Sequence, residues 1–174
     1  LVNPKLSGAP LSRLLADPTP VSLLAAAQDL TAILAAQPEL QSVIRDGWHA
    51  GRTEIVGGEW AERCTPLLPL DSVIYELNRG RAALRELFGR NPATWGRRRY
   101  GLSALLPQVL KRSGYSGALH FVMDDGAYPD EEHSQLTWSG ADGSGIASYS
   151  RIPLAADSAS AFLRFPVRMA ESMD

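Results

Sequence analysis

Cysteine is almost missing from this 174-residue chain: Cys64 stands alone. An internal disulfide and a thiolate-based zinc cluster are therefore excluded, and the one thiol is expected to be buried and inert. Long apolar runs are missing too. The most apolar stretch, Val21 to Ala36, is broken by Gln28, Asp29 and Thr31 and is shorter than the roughly 20 residues a membrane helix needs. No membrane partner is expected. No charged segment precedes an apolar one, so no signal peptide is visible. The chain opens on Leu1 and not on Met, which suggests that upstream sequence has been removed and leaves the compartment open. An excess of either charge is absent as well, with 17 basic against 19 acidic residues. The Arg97-Arg98-Arg99 triplet is too local to make a nucleic-acid surface. Finally, between Glu86 and Asp124 there is no carboxylate at all.

What remains is an ordinary composition for a soluble globular protein, 45% hydrophobic and 21% charged, with length for one domain over residues 1–174 and a sizeable core. Residues 1–20 carry four prolines and are expected to run as an irregular lead-in. From Ser22, the spacing of Leu23, Ala27, Leu30 and Leu34 predicts an amphipathic helix to about Ala36. A second helix follows Pro38 through Leu40, Val43, Ile44 and Trp48, ending at Gly51. Thr53 to Val56 reads as a strand closed by Gly57-Gly58. Asp71 suits the N-cap of a long helix with inner face Ile74, Leu77, Leu84 and Leu87, and Gly89 suits its stop. Gly80 within that helix costs about 1 kcal/mol and implies close packing.

Ala93 to Gly96 is a short strand candidate, and Ser103 is placed to cap a third long helix reaching Gly114. Ala118 to Met123 reads as a buried strand. An acidic loop follows, then a hairpin around Ala141-Asp142-Gly143-Ser144. Asp157 is a candidate cap for a last helix that Pro166 would kink or break. Helix and strand alternate, which predicts an α/β fold with parallel strands. Three or four such strands are too few to close a barrel, so an open sheet or part of a barrel is expected.

Four groups of residues, in order over 51–144, resemble the N-terminal domain of family 38 glycoside hydrolases, the class II α-mannosidases. They are Gly51 to Trp60 with the Gly57-Gly58 pair, and Cys64 to Pro69 followed by Ser72, Gly80 and Phe88-Gly89. Next come Trp95 to Ser103 with Leu106 to Leu110 and Ser113-Gly114, then Trp138 to Ser144. The resemblance implies a seven-stranded β/α barrel, here partial or open, and carbohydrate as partner. It also implies one zinc ion held by an early His-x-Asp pair, the nucleophilic Asp and a later His. Aligned on Trp95 and the Tyr100-Gly101-x-Ser103 run, that Asp falls on Arg98, and no histidine stands two before an Asp. No cofactor is therefore expected in this chain. Family 57 glycosidases and polysaccharide deacetylases have a related barrel, but the first would want a Glu near Arg98. The second would want an early Asp-Asp pair and a His-x-x-x-His motif.

A guanidinium stays protonated and offers no lone pair, so it replaces neither nucleophile nor acid/base. The candidate substrate contacts are Trp60, Arg98 and Tyr100, with Trp95 and Trp138 as further aromatic platforms or else core residues. Asp124 and Asp125 are the weaker catalytic alternatives, placed after a strand end; as sequence neighbours they point apart. His49 is expected as a structural or surface residue, His120 as a satisfied core histidine, and His133 in a solvated acidic loop. Three readings follow. The chain is a degenerate α-mannosidase-like domain, a pseudoenzyme that keeps carbohydrate binding or supports a longer polypeptide. Alternatively it is an active hydrolase or deacetylase completed by flanking sequence, or an interaction module whose arginine triplet engages acidic glycan. The second predicts stoichiometric zinc, and only the third predicts salt-sensitive retention.

Overall fold

A computed structural model of the protein describes residues 9–99, 102–120 and 133–150. Among these described residues six strands form one sheet in the order β1 (Val21–Ala25), β2 (Thr53–Gly57), β3 (Thr94–Gly96), β4 (Gly117–His120), β6 (Gly145–Ser150), β5 (His133–Ser139). The first five in that order pair in parallel, and β5 returns antiparallel along β6. This is the expected α/β, mostly parallel and open architecture, with one strand more than expected at the β1 edge and β6 continuing the parallel set. The hairpin turn lies where Asp142-Gly143 predicts it, Gly143 taking φ +79°.

Five helices accompany the sheet among the described residues: α1 (Ala9–Ala16), α2 (Ala27–Ala36), α3 (Leu40–His49), α4 (Leu70–Phe88) and α5 (Leu106–Arg112). Helix α1 lies in the expected irregular lead-in. Pro10 is tolerated because it sits in the first turn, and Leu11 anchors the helix in the core. The helix expected from Ser22 is instead β1 followed by α2. Leu23 and Ala27 have helical spacing, but Val21 to Ala25 pairs residue by residue with Thr53 to Gly57. A short apolar run fits either period, and the neighbouring strand decides it.

Two further boundaries shift. Pro69, not Asp71, is the residue before α4, and Asp71 lies in the first turn without a capping bond. Val73 is buried where Ile74 was expected, and Ile74 faces outward. Helix α5 begins at Leu106, later and shorter than predicted, because Ser103 Oγ accepts the Leu105 amide in a preceding turn. Gly89 ends α4 with φ +80°, as expected. The predicted strand through Met123, the acidic loop and the Asp157 helix extend beyond the described residues.

Alternation along the strands divides the apolar residues. Leu23, Ala25 and Ile55 face α1 to α4, where they meet Leu30, Ile44, Trp48, Leu84 and Phe88. Trp95, Ala118 and Ile146 face α4 and α5, against Leu77, Leu106 and Leu110. On the opposite face Leu24, Val56 and Leu119 make a smaller cluster. Gly80 confirms the close-packing expectation. A Cβ there would overlap the Glu59 carbonyl carbon, Gly58 O and Trp60 N. The absence of a side chain lets the loop after β2 lie directly on α4, where the Trp60 amide donates to the Glu76 carbonyl at 2.9 Å.

Candidate functional site

In parallel α/β sheets, the loops that leave the C-terminal ends of the strands gather on one rim. Here the loops after β1, β2 and β3 meet there, each bringing charge. Asp29 stands in the first turn of α2, just past β1. The start of α2 is held against the β2 loop, because the Ala27 and Gln28 amides donate to the carbonyls of Glu59 and Trp60, both at 2.9 Å. Glu59 and Glu62 belong to that loop. Arg97 and Arg98 leave β3.

Arg98 joins all three loops. Its Nη2 donates to Asp29 Oδ2 at 2.9 Å, and its Nε donates to Glu62 Oε1 at 3.3 Å. The Arg98 backbone amide also donates to the Glu62 carboxylate, at 3.2 and 3.1 Å to its two oxygens. The Arg98 side chain is 17% exposed, Glu62 6% and Asp29 35%, so Asp29 forms the solvent side of the group. One cation between two carboxylates leaves the cluster with a formal charge of −1.

Arg97 makes a second, deeper cluster. Its Nε lies 3.4 Å from Glu59 Oε2, and its two Nη atoms donate to Thr65 Oγ1 and the Arg63 carbonyl. Glu59 also accepts from Trp95 Nε1 at 3.2 Å. Burial raises the Glu59 carboxyl to about 7, against the opposing pull of Arg97 and the Trp95 hydrogen bond. Desolvation favours the neutral acid, and the adjacent guanidinium recovers only part of that loss.

The arginine triplet is therefore no cationic patch. Arg97 and Arg98 are drawn inward by carboxylates, and only Arg99 is exposed. Trp60 is half-buried against the core, with the Arg79 guanidinium 3.9 Å over its ring, so that ring face is covered. Trp95 is a core residue, and the half-buried Trp138 packs on it at 5.6 Å between centroids. Tyr100, Asp124 and Asp125 lie outside the described residues.

Cys64 is exposed, contrary to the expectation of a buried thiol, because it precedes a 3-10 turn (Thr65–Leu67) on the surface loop. His49 is on the surface as expected. His120 is buried and stands edge-on to Trp138 at 4.6 Å. It is a core residue as expected, and its Nε2 has no hydrogen-bond partner among the described residues. Desolvation lowers its pKa to about 4 and keeps the ring neutral. His133 begins β5 instead of sitting in a loop.

Asp29, Glu59 and Glu62 are the site residues missing from the sequence reading. Asp29 is hidden when Val21 to Ala25 is taken as helix, since it then falls mid-helix. Recognising β1 as a strand puts an acid just beyond a strand end, which is the available signal. Glu59 carries one too, as an acid directly after the Gly57-Gly58 turn of a buried strand.

A zinc ion, which the family resemblance implies, does not fit the charged rim. The two carboxylates at its centre already hold a guanidinium, whose charge opposes a second cation. Among the described residues no three of His, Cys, Asp and Glu cluster in a way that would hold a metal.

The family model for the glycosyl hydrolases family 38 N-terminal domain matches residues 19–160. Alpha-mannosidase F of Dictyostelium discoideum is 30% identical over 95 residues, which are 52% of this chain and 10% of that protein. An alpha-mannosidase structure from Enterococcus faecalis superposes with a TM-score of 0.67 at 14% identity, over 92% of this chain and 20% of its own. The 4-alpha-glucanotransferase of Thermococcus litoralis superposes equally well, 0.67 at 17% identity, over 95% of this chain and 26% of its own. The chain thus spans a small share of these relatives, and the two structures speak for the fold alone. With the family match covering most of the sequence and the parallel sheet agreeing with it, this chain belongs to the N-terminal domain family of the family 38 glycosyl hydrolases.

Proposed function

We propose that this domain binds neutral carbohydrate at the strand-end rim and does not hydrolyse it. The observation that carries the reading is the Arg98 guanidinium held between Asp29 and Glu62. Retaining glycoside hydrolysis needs a free carboxylate as nucleophile, a second carboxyl as acid/base, and negative charge beside an oxocarbenium-like transition state. In this chain the two rim carboxylates are committed to a cation. Neither is free to form a glycosyl ester, and Arg98 cannot replace them. A unit positive charge about 4 Å from the developing cation opposes it by roughly 4 kcal/mol at an effective dielectric near 20, before the two carboxylates offset it.

The sequence resemblance supports the same reading. It puts the family's nucleophilic Asp at Arg98, and the early His-x-Asp pair is absent, since no histidine stands two before an Asp. No reaction step is assigned to zinc. In this reading Arg98 borders the sugar together with Tyr100, two residues on, while Trp60 contributes an edge because Arg79 covers one of its faces. Asp124 and Asp125 are the acids an active hydrolase would have to recruit. The acidic-glycan reading is the weaker one, since the rim cluster is formally anionic and Arg97 is buried in its own ion pair. The rest of a longer polypeptide is a further proposed partner.

The test is a pair of measurements on the purified domain. Hydrolysis of an aryl α-mannoside, with and without added zinc, should be undetectable. Calorimetry should show binding of neutral manno-oligosaccharide that salt leaves largely unchanged. Zinc-dependent turnover would overturn the reading, and so would binding restricted to acidic glycans and abolished by salt.

A further inference from the structure

The charges at the rim do not add up to an acidic cradle awaiting a ligand. Two carboxylates arrive from two loops, Asp29 after β1 and Glu62 after β2, and both point at one atom group from a third loop, the Arg98 guanidinium. The backbone amide of Arg98 adds two contacts to Glu62. Left without the guanidinium, two part-buried carboxylates would face the same space with nothing positive between them. We infer that Arg98 is the built-in cation of this site: it holds the ends of β1, β2 and β3 together and keeps divalent metal out.

The inference takes its location from the functional reading above but not its content, since it concerns cation occupancy and needs no sugar. A guanidinium suits the task because its planar donors reach two carboxylates at once and it never deprotonates. A metal ion entering the site must displace that group while both carboxylates are already satisfied. Remove the guanidinium, and the two oxygen-donor side chains with water would suit a hard divalent ion such as Mg2+ or Ca2+.

The experiment is thermal unfolding of the full chain, unmodified and as Arg98→Ala and Arg98→Lys, with chelator, Mg2+, Ca2+ or Zn2+. The unmodified protein should melt at one temperature in all four conditions. Arg98→Ala should melt lower by about 5 °C or more and recover part of that loss with a divalent ion. Arg98→Lys, which keeps the charge and loses the fork, should fall between the two and respond to metal weakly. A metal-dependent melting temperature in the unmodified chain would overturn the inference. An Arg98→Ala protein as stable as the parent and indifferent to metal would do the same. If Arg98→Ala is recovered only unfolded, Arg98→Leu combined with Asp29→Asn and Glu62→Gln decides. Recovery of that uncharged variant in folded form supports a charge role, whereas its failure to fold assigns Arg98 a role of bulk and overturns the inference. Sugar binding and hydrolysis are read separately, so failure here leaves the carbohydrate reading standing or falling on its own assay.

Discussion

Glu59 is enclosed by Arg97 and Trp95, with the carboxylates of Glu62 and Glu76 also acting on its charge. Its carboxyl is raised to about 7 from an ordinary 4.5, so the folded state holds a proton that the unfolded chain releases earlier. Between about 4.5 and 7 the native form binds more protons, and linkage then makes stability fall as pH rises. The contribution is complete below the unfolded value and lost as pH passes the folded one. Glu59→Gln should remove this slope, and urea midpoints of both proteins at pH 5 and pH 7.5 check it. The parent should lose more than the variant on going to the higher pH, by up to about 3 kcal/mol. His120 works in the opposite sense. Its pKa is lowered from 6.5 to about 4, so its contribution is present above 6.5 and lost as pH falls toward 4. His120→Phe should flatten that acid-side loss, read from the same midpoints at pH 7 and pH 4.5. The Arg97 and Arg98 environments were illegible in the sequence for a simple reason. Their partners lie more than thirty positions away, and a triplet of like charges looks solvated until those partners are known.

Helix α4 and the loop after β2 are the elements that set the site, and Gly80 is their point of contact. The Glu76 carbonyl accepts the Trp60 amide and the Glu76 carboxylate accepts the Ala61 amide at 3.1 Å. Gly80→Ala would put a methyl into backbone atoms that have no rotamer to yield, so the loop carrying Glu59 and Glu62 must move. A loss of about 3 kcal/mol, the upper end for overpacking, is expected, together with weaker carbohydrate binding. Gly89→Ala is the control. Its added Cβ meets only His49 Nε2 at 3.8 Å, and its left-handed backbone should cost about 1–2 kcal/mol without touching the rim. Denaturant midpoints separate the two, and equal losses with equal binding would refute the argument. In the core of the same helix, Leu84 is fully buried among α2, α3 and β2. Leu84→Ala should cost about 2–5 kcal/mol, measurable in the same titration.

At the scale of the molecule, an open parallel sheet with helices packed on one face brings acids and arginines from three loops to one rim. The expected outcome is a domain whose melting temperature ignores chelators and whose sugar affinity ignores salt, because Arg97 and Arg98 are already paired with carboxylates. Scanning calorimetry with and without chelator, and binding titrations at low and high salt, read both. The sequence by itself determined the alternation of elements, the placement of β2, β3, α3, α4 and the Asp142-Gly143 hairpin, and the family, because these depend on local periodicity, turn glycines and motif order. It also drew attention to Arg98, though not to the carboxylates that hold it. Only the tertiary structure decided that Val21 to Ala25 is a strand, since the run fits both periods and its pairing with Thr53 to Gly57 chooses between them. The same step moved Asp29 from the middle of a helix to the end of a strand. Which charges neutralise which was decided there too, because Asp29, Glu62 and Arg98 are far apart along the chain and meet only where three parallel strands end side by side.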